Sequence, residues 1–376
     1  MVDSREPVVN HFILHPSSLI PWLLREISSI EINHEAQVGT ARRAVHDYAR
    51  GLGFNETELA EIDIVVQEIG TNAATYATGG GWLHFTTTLG HAPGLELFYW
   101  DTGPGIYNMD RAIRDGVSTS GSLGAGLGAI QRLMDEFDIY STLPATGRLS
   151  PQQQRRTSHG TALLARKWVT PQGGDEDEGR SLDREESRRV GVWSRPHPSE
   201  RVNGDAYCIV RRDKRMLLAV IDGLGHGQGA KEASDVARDM LDEWMGERPD
   251  ELLRAAHDAL RATRGAVMGI AVIDYEQERF YYSGVGNIAV RVYGAPERIA
   301  PISANGTLGM RLGSVRLWSH AWAEGATVLM ASDGVSESWH MESYPGLLKR
   351  SPQLMAGILM RDYGRDADDA TVLVVR

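Results

Sequence analysis

The residues best suited to chemistry lie between Phe98 and Ile130. An aromatic, strand-like run stops at Asp101, and a turn of the form Asp101-x-Gly103-x-Gly105 follows, in which the glycines permit positive φ. A carboxylate on such a turn is suited to bind the amino group of a nucleotide base.

A group of glycines comes next, running into an apolar-periodic segment. Glycines at a helix start expose backbone N–H groups, and the helix dipole adds to their attraction for an anion. The cradle for phosphates predicted here consists of Gly121, Gly124, Gly126 and Gly128. A glycine run alone is equally typical of a flexible loop, so the surrounding sequence has to decide between the two.

Upstream, residues 58–78 have the apolar spacing of a helix, and Glu68 and Asn72 lie four residues apart on one face of it. Near a nucleotide, such a carboxylate and amide can act as general base and Mg²⁺ ligand. Taken alone, a solvated helix face would explain the pair more simply. Downstream, Gly160-Thr161 begins an apolar strand.

These four motifs occur in the order found in the GHKL superfamily, and residues 28–170 resemble its ATP-binding fold. The run TSGSLGAGLGAIQRLMDEFDI resembles the RsbT-type serine kinases of stress-signalling partner switches. The resemblance implies ATP with Mg²⁺, with Asp101 on adenine supported by Thr161, Asn72 on Mg²⁺, and the glycines on the phosphates. It also implies that Glu68 orients or deprotonates a serine hydroxyl on a small STAS-domain antagonist protein.

Farther along, aspartates stand at the ends of several apolar strands. These residues are Asp205, Asp222, Asp333, Asp368 and Asp369. Aspartate is depleted in strands, and buried unpaired carboxylates are costly. A single Asp-Gly pair is usually just a turn. Several such carboxylates gathered at one edge of a sandwich would instead repel one another unless Mg²⁺ or Mn²⁺ neutralised them. Two such ions can generate hydroxide and hold a phosphate.

The motifs NGDAY, DGLGHG, SDGVSE and DDAT make residues 192–376 resemble the PPM-type metal-dependent serine/threonine phosphatases, in the compact SpoIIE/RsbX-like branch. The resemblance implies that the metals are surrounded by Asp205, Asp222, the Gly223 carbonyl, Asp333 and Asp368, with Asp369 close by. Asp222 and Asp333 are the predicted catalytic metal ligands. His226 invites a general-acid role, although its Gly-His-Gly loop equally allows a backbone reason for this sequence.

The elements that must position these residues form two α/β domains. Residues 28–34 predict an edge strand and residues 37–52 a helix, giving an α/β sandwich with helices on one face of a mixed sheet. The C-terminal region predicts seven strands and helical runs near 229–246, 250–264 and 342–362. Two sheets packed face to face with helices outside, an α-β-β-α sandwich, fit this order.

Composition sets the expected boundaries. We predict an N-terminal extension at 1–27, the kinase domain at 28–170, an acidic solvated linker at 171–190 and the phosphatase domain at 191–376. Residues 142–159 form a polar insertion, longer than the connection usual in RsbT-like chains, and its role is open.

The chain has 376 residues and a formal net charge of −11, which argues against non-specific binding to nucleic acid or to an anionic membrane. Its single cysteine, Cys208, excludes an intrachain disulfide and a multi-thiolate zinc site. No apolar run has the length of a membrane span, and no signal peptide is predicted. A cytoplasmic location is therefore expected.

Together the two resemblances imply one chain that writes and erases a phosphoserine on a STAS-domain partner. The competing hypothesis is a phosphatase whose ATP-binding domain is a non-catalytic sensing or partner-binding module. Whether the chain forms a homodimer is left open by the sequence.

Overall fold

The computed structural model describes residues 26–90, 92–113, 126–144, 159–170, 184–185 and 187–376. Its first two helices are α1 (Glu35–Leu52) and α2 (Glu56–Tyr76). The helix α1 ends where Gly53 adopts a left-handed conformation, and α2 begins where the Asn55 side chain accepts the N–H groups of Thr57 and Glu58. Capping residues thus separate two helices that the apolar pattern alone would leave adjoining.

One five-stranded sheet lies under these helices, in the order β1-β2-β3-β5-β4. Its strands are β1 (Ser28–Ile32), β2 (Gly81–Thr87), β3 (Gly94–Asp101), β4 (Glu136–Thr142) and β5 (Gly160–Trp168). The predicted edge strand is confirmed as β1. The predicted mixed sheet is wrong, because every neighbouring pair in this sheet is antiparallel. Consecutive strands β2 and β3 pair directly, as do β4 and β5, and β5 returns beside β3 in the opposite direction.

Two short helices, α3 (Met109–Ile113) and α4 (Gly126–Leu133), complete this half. The core between α1, α2 and the sheet is built from alternate positions of each strand, with Leu95, Leu97 and Tyr99 of β3 facing the helices. Phe98, between them, faces the opposite side.

The C-terminal half contains two larger antiparallel sheets, in the orders β14-β10-β9-β8-β7 and β11-β15-β16-β6. The first of these has β7 (Asp205–Arg212), β8 (Arg215–Gly223), β9 (Ala266–Asp274), β10 (Arg279–Val285) and β14 (Trp318–Ala321). The second has β6 (Val190–Arg195), β11 (Ala289–Tyr293), β15 (Thr327–Ala331) and β16 (Ala370–Val375). A two-stranded ribbon joins β12 (Gly306–Thr307) and β13 (Arg311–Leu312).

These two sheets pack face to face over a core that includes Tyr207, Leu218, Met330 and Leu373. Helices α5 (Gln228–Asp242) and α6 (Pro249–Ala259) cover one outer face, and α7 (Pro352–Tyr363) covers the other. The α-β-β-α sandwich predicted from the sequence is confirmed. The helix predicted at 342–362 is shorter, because Ser351 caps α7 and Pro352 is its first residue.

The helix α7 also packs against the N-terminal half. It lies between β6, β15 and β16 on one side and the outer face of the first sheet on the other, where Phe98, Tyr140 and Leu164 contact it. The two halves therefore share a hydrophobic cluster, and α7 belongs to the cores of both.

The sequence predicts a solvated acidic linker at residues 171–190, but Ser187 and Val190 near its end are buried in the structure. The Ser187 carbonyl accepts a hydrogen bond from Arg166 Nη1 at 3.0 Å, and Val190 begins β6 with no exposed surface. Arg166 is itself buried and pairs with Glu96. Because a buried guanidinium is costly unless its N–H groups are hydrogen-bonded, the Ser187 carbonyl stabilises it. Residues 171–183 and most of the predicted N-terminal extension and insertion lie outside the described residues.

None of the described helices combines the length and the apolar character that crossing a membrane requires.

Candidate active sites

Asp101 ends β3 with its carboxylate held by three donors. Oδ1 accepts the backbone N–H groups of Gly103 at 2.8 Å and Thr161 at 3.1 Å, and Oδ2 accepts the Tyr99 hydroxyl at 2.9 Å. Burial, and then the charge of Asp101, raises the pKa of Tyr99, so its hydroxyl stays a donor. The carboxylate is fixed in direction and keeps lone pairs for the N–H groups of a ligand.

The turn after Asp101 requires its glycines. Gly105 has φ 71°, and a Cβ there would lie 2.3 Å from the carbonyl oxygen of Thr142 in β4. His159 approaches the same turn, with Nδ1 2.8 Å from the Gly103 carbonyl oxygen, to which it donates. The motifs around Asp101 and Thr161 thus lie side by side in the structure.

Glu68 and Asn72 project from α2 at half-buried positions one turn apart. Glu68 Oε2 accepts the backbone N–H of Gly126, the first residue of α4, at 3.1 Å. The predicted general base therefore lies directly beside the predicted phosphate-binding glycines. Of these, Gly128 is buried in α4, whereas Gly121 and Gly124 lie outside the described residues.

A carboxylate, an amide and the free N–H groups of a helix start are chemically suited to a nucleotide with Mg²⁺. The donor set between α2, α4 and the Asp101 turn fits ATP in this respect.

The second site is built at one end of the C-terminal sandwich. Asp205 and Asp222 are directly opposite each other in the β7–β8 register, and Gly223 follows. Asp333 comes just after β15, and Asp368 and Asp369 come just before the neighbouring strand β16. The structure thus brings together strand ends that are up to 164 residues apart in sequence, from Asp205 to Asp369.

Burial and mutual repulsion dominate the electrostatics of this cluster. Burial, and then the charges of Asp205, Asp333 and Asp368, raise the pKa of Asp222. Burial also raises the pKa of Asp205, with Asp369 and Asp333 adding to the rise. Carboxylates gathered in this way are stabilised by a cation.

The oxygen-only donor set fits a hard divalent ion such as Mg²⁺ or Mn²⁺. Asp369 Oδ1 accepts the His197 N–H at 2.9 Å, while its buried Oδ2 has no hydrogen-bond partner among the described residues. Within that part of the chain, no three acidic, imidazole or thiol side chains by themselves form a metal-binding group. Bound ions would therefore also take water and backbone oxygens, of which the Gly223 carbonyl is the predicted example.

His226 lies at the surface, half exposed. Its Nδ1 is 2.7 Å from Glu200 Oε1, and its ring stacks on His197 at 4.7 Å. This contact occupies one ring nitrogen, and the general-acid role of His226 stays a prediction.

Three residues that support the cluster were not found from the sequence. The Ser332 hydroxyl donates to Asp205 Oδ2 at 2.6 Å, Asn287 Nδ2 donates to Asp333 Oδ2 at 2.7 Å, and Arg365 Nη1 donates to the Asp333 carbonyl at 3.1 Å. Of the three, only Ser332 could have been found from the sequence, because it is next to Asp333. Asn287 and Arg365 reach the site through tertiary folding, and no local pattern marks them.

Comparison with known proteins divides the chain in the same way. Residues 32–148 match the histidine kinase-like ATPase domain, and residues 212–376 match the stage II sporulation protein E (SpoIIE) family.

Two relatives come from Bacillus subtilis (strain 168). Serine/threonine-protein kinase RsbT is 32% identical over 147 residues, covering 39% of this chain and 99% of its own. Phosphoserine phosphatase RsbX is 27% identical over 134 residues, covering 35% of this chain and 67% of its own. A crystal structure of RsbX in complex with magnesium aligns over 53% of this chain and 96% of its own, at 23% identity and a TM-score of 0.45.

The matches agree with the two sites in order and in position along the chain. The chain belongs to the RsbT family through its N-terminal half, which carries a histidine kinase-like ATPase domain. Its C-terminal half matches the SpoIIE family and is similar to RsbX.

Proposed function

We propose that this chain phosphorylates and dephosphorylates a serine on a STAS-domain antagonist protein in a bacterial partner-switching pathway. The supporting observation is the presence in one chain of the Asp101 nucleotide turn with Glu68 beside Gly126, and of the carboxylate cluster around Asp222. We assign the kinase to residues 28–170 and the phosphatase to residues 191–376. Because the kinase would draw on intracellular ATP, we place this activity in the cytoplasm.

In the kinase half, ATP with Mg²⁺ would supply the phosphoryl group. Asp101, fixed by Gly103 and Thr161, accepts the N–H of the adenine amino group. Asn72 would hold Mg²⁺. Glu68, on the same face of α2, accepts the proton of the serine hydroxyl, while the N–H groups at the start of α4 stabilise the phosphates.

In the phosphatase half, two Mn²⁺ or Mg²⁺ ions would supply a hydroxide nucleophile and neutralise the phosphate. The residues that would hold them are Asp205, Asp222, Gly223 through its carbonyl, Asp333 and Asp368, with Asp369 beside them. Ser332 orients the Asp205 carboxylate, and Asn287 orients that of Asp333.

The test uses the purified chain, radiolabelled ATP, Mn²⁺ and the STAS protein encoded nearest to it, with Glu68→Ala and Asp222→Asn variants. We expect Asp222→Asn to accumulate phosphorylated partner, and Glu68→Ala to transfer nothing while still binding ATP. Glu56→Ala, which removes an exposed carboxylate from the same helix, is the matched control and should behave as the parent. Unchanged transfer by Glu68→Ala would overturn its role as the base.

A second candidate function is a phosphatase whose ATP-binding half only senses nucleotide. It is favoured by one contact, from Arg361 of the phosphatase half to the Asp101 carbonyl. Under this hypothesis no variant labels the partner, yet ADP changes the rate at which a pre-phosphorylated partner is hydrolysed. Labelling by Asp222→Asn would exclude it.

A further inference from the structure

A cleft of about 970 Å³ lies where the two halves of the chain meet. One wall comes from the outer face of the first sheet, including Ser29, His84 and Trp100. The opposite wall comes from β6, the loop before β7, the α5 helix and the end of α7. Concave sites of this size at domain interfaces commonly bind ligands.

The floor of the cleft is aromatic. The rings of Trp100 and Trp193 are 5.0 Å apart, and the His84 ring is 4.2 Å from Trp100. His84 Nδ1 is 2.6 Å from Ser29 Oγ, but its buried Nε2 has no hydrogen-bond partner among the described residues. Because buried polar atoms are almost always paired, this nitrogen points to a polar group that the described residues do not supply.

The rim of the cleft carries five cationic side chains and three carboxylates. Four of these cations form ion pairs within the chain: Arg195 with Asp366, Lys231 with Asp235, Arg238 with Asp235 and Asp239, and Arg361 with Asp362. Arg201 is the lining cation that remains to attract an anionic group of a partner. The cations are Arg195, Arg201, Lys231, Arg238 and Arg361, and the carboxylates are those of Glu26, Asp242 and Asp366. Arg201 is exposed and forms no ion pair with any described residue.

The cleft opens beside the phosphatase carboxylates. Arg201 and Asn203 belong to the loop that leads into β7, and Asn203 Oδ1 accepts the Asp205 N–H at 3.0 Å. Lys231 lies in the first turn of α5, shortly after the Asp222-Gly223 turn. A chain segment bound in the cleft can therefore continue to the carboxylate cluster.

We propose that this cleft docks the segment of the phosphoprotein substrate next to its phosphoserine. The segment carries a carboxylate that pairs with Arg201 and an apolar side chain that packs on Trp100. A base-stacking ligand fits less well, because the aromatic rings pack against one another and leave no slot between them.

This inference rests on the proposed phosphatase function and deepens it. Trp100 belongs to the kinase half and Arg201 to the phosphatase half, so the docking site exists only where both halves are assembled. Substrate recognition by the phosphatase thereby depends on the fusion of the two domains.

The experiment compares two substrates of the full chain with Mn²⁺, the phosphorylated STAS protein and p-nitrophenyl phosphate. For Arg201→Ala we expect KM for the phosphoprotein to rise about tenfold, with kcat and all constants for p-nitrophenyl phosphate unchanged. Trp100→Leu should also raise KM for the phosphoprotein alone, with its thermal unfolding checked for an intact fold. Arg298→Ala, an exposed arginine outside the cleft, should match the parent.

Equal effects on both substrates would mean that the cleft binds only a phosphate group, and no effect on either would mean that it binds no substrate. Each result overturns the proposal. Inhibition of phosphoprotein hydrolysis alone by AMP, in an Asp101→Asn background, would assign the cleft to a nucleotide and also overturn it. A parent chain that hydrolyses p-nitrophenyl phosphate but not the phosphoprotein would instead refute the proposed function itself.

Discussion

Arg361, near the end of α7, donates from Nη1 to the backbone carbonyl of Asp101 across 3.4 Å. A residue of the C-terminal half thus contacts the strand end that carries the Asp101 carboxylate. The guanidinium is nearly buried and pairs with Asp362 at 2.6 Å, and the Tyr344 hydroxyl donates to the same carboxylate at 2.7 Å. A short chain of buried polar contacts therefore connects α7 to the first sheet.

Replacing Arg361 with alanine should destabilise the whole chain. The substitution leaves the Asp362 carboxylate buried with Tyr344 as its remaining partner, and breaking a buried pair in this way costs about 3–5 kcal/mol. Urea unfolding measures this loss. Arg261→Ala, which breaks an exposed pair with Asp258 at 2.9 Å, is the control and should change stability by less than about 1 kcal/mol. Similar losses in both variants would show that the buried contact has no special role.

Gly357 gives a second probe of the same interface. A Cβ at this position of α7 would lie 2.3 Å from Cζ of Phe98 in β3, so Gly357→Ala should force the helix away from the sheet and destabilise by about 1–3 kcal/mol. Gly51→Ala, in α1, meets no atom within 4 Å and should instead stabilise by about 0.5–1 kcal/mol. Thermal unfolding of the two variants should give shifts of opposite sign, and equal shifts would contradict the close packing of α7 on β3.

Much of each half follows from local sequence. Asp222 was found because a carboxylate at the end of an apolar strand is unusual, and its place opposite Asp205 follows from the pairing of two consecutive strands. Asp101 was found from its turn chemistry, and the structure adds Tyr99 as the donor that fixes its second oxygen.

The contact between the halves was not predicted, although signals for it exist. The strand β3 is apolar on both faces and α7 is apolar on nearly all sides, and both patterns indicate burial between two layers. Because each half was interpreted as a separate domain, these two patterns were not taken as a sign of contact between the halves. The burial of Arg166 between Glu96 and Glu136 carries no such signal, because it depends on strands that are distant in sequence.

His84 should make stability depend on pH. Burial lowers its pKa from 6.5 to about 3, so the folded chain resists protonation while the unfolded chain accepts it. The free energy of unfolding therefore keeps its full value above pH 6.5 and decreases as the pH falls towards 3. Down to about pH 4.5 the loss is about 2–3 kcal/mol, at about 1.4 kcal/mol per pH unit. Urea unfolding of the parent and of His84→Gln across this range should show a steeper acid loss in the parent, and parallel curves would contradict the assignment.

Thermal unfolding with and without metal should separate two effects of Asp222 on stability. One is the cost of burying it among other carboxylates, and the other is its binding of the metal. In chelator, Asp222→Asn should unfold at the same temperature as the parent or higher, because it removes a carboxyl whose ionisation is disfavoured by burial and by the neighbouring carboxylates. With Mn²⁺ at about 100 times its Kd the parent should gain about 2.7 kcal/mol, and the variant much less because it lacks a ligand. Asp258→Asn, at an exposed site outside the cluster, should show the parent's full gain. Thermal unfolding with and without Mn²⁺ measures all three proteins. A variant that Mn²⁺ stabilises as strongly as the parent would exclude Asp222 as a metal ligand while leaving the other carboxylates as candidates.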